Sequence, residues 1–228
     1  MENAFVQQLA KQTIAYAKRI VRPGMALTEL RRLCEARMLA LGADGFWYHG
    51  IGAFVFAGDE TAVSVSGRQY RTSDRRIGAD DIITIDLSPE KDGLWGDYAR
   101  TIVLEGGAVV EKDTVSNPEW RAGLLAEARL HAALLECARP ETTFEALHAR
   151  MNARIAAEGF VNLDFHGNLG HSIVRRPEDR VYIERGNTAR LDSVRLFTFE
   201  PHISRPGSKY GFKKEDIYYF EDGGLKAL

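Results

Sequence analysis

In the run IDLSPEKDGLWGDYARTIVL, Asp86 and Asp97 each interrupt an apolar, β-branched segment that reads as a buried strand. A Pro and an Asp-Gly lie between them, so residues 82–88 and 95–103 are expected to fold back as a hairpin. With Lys91-Asp92 as the two-residue loop, Asp86 lies directly opposite Asp97. With Asp92-Gly93, the better turn chemistry, Asp86 faces Ala99 and Asp97 becomes its diagonal neighbour. Either register keeps both carboxylates on one face. Like charges across a ladder destabilise it, and burying them unpaired costs far more. The pair therefore calls for a proton, a basic side chain or a metal cation. The competing reading is a solvated sheet edge decorated with acids.

Three further groups bear on that choice. His171 lies in GNLGHSI just after a strand-like segment, Glu200 ends VRLFTFEP, and Glu215 opens the last expected strand in GFKKEDIYYF. Singly, each has a plain structural reading: a loop histidine, a strand-end residue, and one member of a solvated charge cluster with Lys213, Lys214 and Asp216. Together, four carboxylates and one imidazole form a hard, oxygen-rich donor set. It carries enough negative charge for two divalent cations, of which Mn, Co, Fe or Zn suit the mixed shell. A metal pair a few Å apart can share a water and lower its pKa toward about 7.

The elements that must position these groups follow from periodicity. Val6, Leu9, Thr13, Ala17 and Ile20 recur at helical spacing, and the helix should stop before Arg22-Pro23. A second helix is expected over about 27–41, closed by Gly42. FWYHGIGAFVFAG and TAVSVSG then read as strands. Asn117-Pro118 caps a third helix with Trp120, Leu124, Ala128 and Leu135 on its apolar face, and a fourth spans about 143–158. FVNLDF, SVRLFTFE and EDIYYFEDG are short strands. Helices followed by strands thus occur twice, over roughly 1–112 and 117–228. This pattern predicts a single α+β domain, residues 1–228, with an antiparallel sheet covered by helices.

With 228 residues, 45% hydrophobic content and a net charge of -2, the chain lacks the electrostatic footprint of a nucleic-acid or anionic-membrane binder. No apolar run approaches a membrane span. The two cysteines, Cys34 and Cys137, lack metal-type spacing, which fits a reducing, cytoplasmic setting.

The order D-x10-D, then GH, then F-E-P, then E-D in a final strand resembles the pita-bread metallopeptidases, which include methionine aminopeptidases, Xaa-Pro aminopeptidases and prolidase. Asp97, Arg100 and Thr101 match the family's Asp-x-x-Arg-Thr ending, and KKEDIYYFEDGG is closer to the Xaa-Pro and prolidase branch. The resemblance covers about residue 43 to the C-terminus. It implies the pita-bread fold, with two pseudo-equivalent αβ halves and a curved antiparallel sheet, and a homodimer acting on a short peptide or small molecule. Asp86 would be a terminal ligand of one metal, Asp97 and Glu215 would bridge both, and His171 and Glu200 would complete the other shell. Glu200 would also be general base for the bridging water.

The pattern is broken in places. The family's second histidine, seven positions after the metal-bound one, is Glu178 here, and GHGIG has become GHSIV. No histidine precedes the hairpin in TAVSVSGRQYRTSDRR, and EPG has become EPHIS. His166 and His202 are the candidates to compensate in catalysis, with His49 behind them; His131 and His148 read as structural or exposed. The chain is also too short for the N-terminal domain of the Xaa-Pro branch. Three functions follow: a dinuclear-metal peptidase, a metalloenzyme of non-peptide chemistry on the same scaffold (C–N hydrolysis, elimination or dehydration), or a binding module that lost catalysis.

Overall fold

The stripe Val6, Leu9, Ala10, Ile14 and Ala17 forms the buried face of helix α1 (Asn3–Ile20). The computed structural model describes residues 2–228. Helix α2 (Leu27–Ala40) buries Leu27, Leu30, Cys34 and Met38. Strands β1 (Gly45–Phe46) and β2 (Ala53–Ala57) follow, then β3 (Asp81–Leu87), β4 (Pro89–Lys91), β5 (Leu94–Trp95), β6 (Tyr98–Glu105) and β7 (Ala108–Val110). The second half repeats the order with α3 (Pro118–Cys137) and α4 (Phe144–Ala157) before six short strands. These are β8 (Val161–Asn162), β9 (Phe197–Phe199), β10 (His202–Ser204), β11 (Phe212–Lys213), β12 (Asp216–Glu221) and β13 (Gly224–Ala227).

Every ladder is antiparallel, in the orders β2-β3-β6-β7, β1-β4-β5, β11-β10-β8 and β13-β12-β9. One apolar cluster joins α1 and α2 to the β2-β3-β6 sheet; a second joins α3 and α4 to β9–β12. Burying each Leu or Ile in them contributes about 1.5–3 kcal/mol relative to leaving it exposed. Asn117 caps α3 as its type and position predict, its Oδ1 accepting from the Glu119 and Trp120 amides. Among the described residues no helix is long and apolar enough to cross a membrane.

The central ladder pairs Asp86 with Ala99 and Thr84 with Thr101, the register of an Asp92-Gly93 loop. Those two residues have φ of 52° and 72°, the left-handed conformation such a turn demands. The hairpin is not continuous, however. Its tip, β4 and β5, peels away onto β1, and Gly96-Asp97 belongs to neither ladder.

Other strand expectations need correction. Residues 47–50 turn instead of continuing a strand, with His49 and Gly50 both at positive φ. TAVSVSG is not a strand: residues 58–62 form a 3₁₀ turn and 63–67 run irregularly. Thr61 has other commitments, its Oγ1 donating to the Gly58 carbonyl and accepting from Gly211 N, and its own carbonyl accepting from His202 Nε2. Glu215 immediately precedes β12 instead of opening it, and β13 follows as a further strand.

Burial pushes the Cys34 thiol up to about 12, whereas Cys137 is only half-buried. The thiolate is the reactive form. Ellman's reagent at pH 8 is therefore expected to titrate one thiol per native chain and two after denaturation; two in the native protein would show that α2 opens readily.

Candidate metal centre

Asp97 is placed by a residue from the far end of the sequence. Gln7 of α1 donates through Nε2 to the Asp97 carbonyl (2.8 Å) and accepts the Asp97 amide at Oε1 (3.0 Å). Asn3, one turn earlier, donates to the Trp95 carbonyl. With its backbone clasped outside any ladder, Asp97 sends its carboxylate inward, where it is only 5% exposed.

His171 is set by side chains and backbone together. Its amide donates to Thr198 Oγ1 (3.0 Å) and its carbonyl accepts from the Thr198 amide (2.7 Å). The ring packs against Trp47 and Trp95, with centroids 5.7 and 5.9 Å away. Nδ1 meets the Ser172 carbonyl at 3.1 Å, which leaves Nε2 toward Asp97 Oδ2 (3.5 Å) and Glu200 Oε1 (3.6 Å). A backbone partner on one ring nitrogen is how metal-ligating histidines are usually oriented.

Glu215 reaches the same point through its contacts with residues 97–101. Its amide donates to the Ala99 carbonyl, Arg100 Nη1 donates to the Glu215 carbonyl (2.6 Å), and Arg100 Nη2 pairs with Asp216 (2.7 Å). The carboxylate is fully buried, and neither oxygen has a hydrogen-bond partner among the described residues. Asp97, His171 and Glu215 offer ligand atoms all within 4.8 Å of one another. An orphaned buried carboxylate beside an imidazole and a second carboxylate fits a divalent cation.

The electrostatics agree. Burial pushes the Glu215 carboxyl well above its usual range, and the negative charges of Asp97, Glu200 and Asp86 add to it. Burial raises Asp97 to about 6, with Asp86 and Glu200 adding and His171 opposing. Burial also opposes ionisation of Glu200, but the Lys213 ammonium and His171 outweigh it and hold that carboxyl below its usual value.

Asp86 and Glu200 line a cavity of about 250 Å³ together with Asp97 and His171. Lys213 lies between them, Nζ 2.6 Å from Asp86 Oδ2 and 3.1 Å from Glu200 Oε2. Lys213 had read as a solvated charge; the cue was its two-residue spacing from Glu215. His166 and His202 both line the cavity, His166 exposed at residue 166 with its ring on Phe165, His202 buried with Nε2 donating to the Thr61 carbonyl (2.7 Å). Burial lowers His202 to about 4 and keeps it neutral. His49 is exposed outside the cavity. His131 is structural, between Tyr218 Oη and the Lys214 carbonyl, and His148 meets the Gly167 carbonyl.

Glu178 is exposed, and Arg180, two residues on, faces the cavity instead. Its guanidinium lies over the rings of Trp47 (4.9 Å), Tyr48 (5.5 Å) and Tyr182 (5.5 Å). Nothing in RRPEDR marked this residue out, because two of the rings it stacks on, Trp47 and Tyr48, come from a distant segment.

The family model described as metallopeptidase family M24 matches residues 4–222. Among curated proteins, a methionine aminopeptidase of Helicobacter pylori is 28% identical over 211 residues, covering 86% of this chain and 76% of that protein. Methionine aminopeptidase A of Synechocystis is 27% identical over 206 residues, covering 86% and 75%. Among solved structures, an X-Pro aminopeptidase from Thermotoga maritima superposes with a TM-score of 0.80 at 20% identity. A prolidase from Pyrococcus horikoshii does so with 0.80 at 21%. Each covers 97% of this chain, and this chain spans 58% and 59% of theirs. The α+β fold is thus the pita-bread fold.

Proposed function

The chain belongs to metallopeptidase family M24, and from that premise we propose that it is a divalent-metal-dependent hydrolase of peptide bonds near an N-terminus, of the Xaa-Pro aminopeptidase and dipeptidase kind. The observation that carries this reading is the buried trio Asp97, His171 and Glu215, with both Glu215 oxygens unpartnered among the described residues, beside a cavity open to a small ligand. A divalent ion held there, Mn, Co, Fe or Zn, supplies Lewis acidity and a lowered pKa for water.

The chain's own residues supply the rest. Glu200 stays ionised beside Lys213 and His171, so it is ready to accept a proton. His202, neutral and anchored on the Thr61 carbonyl, and His166 at the exposed rim are the proposed substrate contacts. Arg180, braced on three aromatic rings, offers a cation to the carboxylate of a short peptide. The bulk of Trp47, Tyr48 and Tyr182 limits the cavity to a short substrate.

The exposed Glu178 favours a second reading, non-peptide C–N hydrolysis or an elimination on the same scaffold. Metal-loaded protein assayed on Xaa-Pro, Met-Xaa and unrelated dipeptides separates the two. Xaa-Pro turnover at least about tenfold above the others is expected, a margin of about 1.4 kcal/mol in transition-state binding. No turnover of any peptide by fully loaded protein would overturn the peptidase and leave the second reading.

A further inference from the structure

No step of the proposed chemistry falls to Lys213, yet it stands among the donors. Its Nζ is within hydrogen-bond distance of Asp86 Oδ2 (2.6 Å) and Glu200 Oε2 (3.1 Å), so it joins two of the four carboxylates. The other two, Asp97 and Glu215, group with His171 within 4.8 Å. The acids are thereby divided into two sets, one answered by a side-chain cation and one unanswered.

The placement is enforced by the backbone. The Lys213 amide donates to Thr101 Oγ1 (2.9 Å), and the same hydroxyl donates back to the Lys213 carbonyl (3.0 Å). On its other flank β11 pairs Lys213 with His202. Its side chain is only 19% exposed. Thr101 itself lies opposite Thr84 in the β3–β6 ladder, two pairs from Asp86, so its hydroxyl ties β11, which carries the lysine, to the sheet that carries the aspartate.

An ammonium and a divalent ion that share the same two carboxylates repel each other strongly at such spacing. An ammonium has a further advantage: it is covalently tethered and incurs no loss of translational freedom on binding. Resting on the metal reading above, we infer that Lys213 is a built-in cation in the place of a second metal, so that the centre takes one divalent ion, at Asp97, His171 and Glu215. Asp86 is then a ligand of the ammonium. Glu200 is shared between the ammonium and the ion's neighbourhood, which ties the proton acceptor to a group that cannot dissociate.

The test is to titrate chelator-stripped full-length protein with Mn(II), wild type beside Lys213→Met, by calorimetry and metal analysis. Wild type is expected to bind one tight equivalent, with any second ion at least about 100-fold weaker. Lys213→Met, which keeps the stem and removes the charge, is expected to bind two. Frozen-solution EPR should show an isolated six-line Mn(II) signal in wild type and an exchange-coupled pair in the variant. Two tight, coupled ions in wild type overturn the role of Lys213 and leave the metal reading standing. No tight ion in either protein overturns both. One ion in each, with the variant folded by circular dichroism, shows that the ammonium is not what excludes the second. Should Lys213→Met fail to fold, Lys213→Gln is titrated in its place, with the same outcomes.

Discussion

Replacing Asp97 with asparagine is expected to abolish tight divalent-metal binding and leave the fold intact. The side-chain shape is kept, and both Gln7 hydrogen bonds go to the Asp97 backbone and survive. What disappears is one anionic oxygen of the buried trio. Loss of a mere outer partner of a metal ligand costs about 10–100-fold in affinity, so loss of the ligand should cost more than about 100-fold. Turnover falls with occupancy.

Thermal unfolding reads the same change without any substrate. Metal at a hundred times its dissociation constant stabilises the native state by about 2.7 kcal/mol. That increment should be present in wild type and absent in Asp97→Asn. The pH dependence has a definite sign. In the metal-free fold, burial holds the Asp97 carboxyl at about 6, above its ordinary 3.8. Its contribution to stability is therefore full below about 3.8 and is lost as pH rises through about 6. The variant lacks that loss, so at pH 7 metal-free Asp97→Asn should be at least as stable as metal-free wild type. An equal metal-induced rise in Tm for both proteins would remove Asp97 from the donor set.

The second large effect is expected at Gly170. Its φ is +142°, and a Cβ there would lie 2.3 Å from the Thr198 carbonyl oxygen. Backbone is the obstacle, and it cannot yield, because Thr198 and His171 exchange two hydrogen bonds across the same gap. Left-handed strain of about 1–3 kcal/mol adds to an overpacking cost of similar size. Gly170→Ala is expected to lose about 3–5 kcal/mol, a drop in Tm of roughly 10 °C. Because the shift moves His171, metal affinity should fall as well. A variant with wild-type Tm and affinity would mean that residues 169–171 are free to move away from β9.

Much of the site was legible because local chemistry carried it. Asp92-Gly93 announced its turn, and the turn set the register that brings Asp86 opposite Ala99. The alternation in the run ending at Glu200 put Thr198 and Glu200 on one side, and their side chains do meet, at 3.5 Å. What escaped notice depends on long-range contact. The Gln7 clasp links positions 90 apart in the chain, and nothing about a glutamine on a helix face announces a backbone partner in a distant loop. Arg180 is a surface-type residue until Trp47 and Tyr48, from a distant segment, join Tyr182 around it. TAVSVSG has strand composition, but Thr61 at its start is committed to partners in distant segments. Glu127 on α3, buried with neither oxygen partnered among the described residues, was equally silent in the sequence. Burial raises its carboxyl well above the ordinary value, with Lys214, Lys213 and Arg100 opposing.

The Gln7 clasp makes the lifetime of the centre a property of the first helix. The amide proton of Asp97 is protected only while Gln7 Oε1 accepts it, and helix ends fray more readily than the core opens. Opening of the first turns of α1 would release both hydrogen bonds that hold the Asp97 backbone. The persistence of the centre is therefore expected to depend on the first helix as well as on the donors themselves.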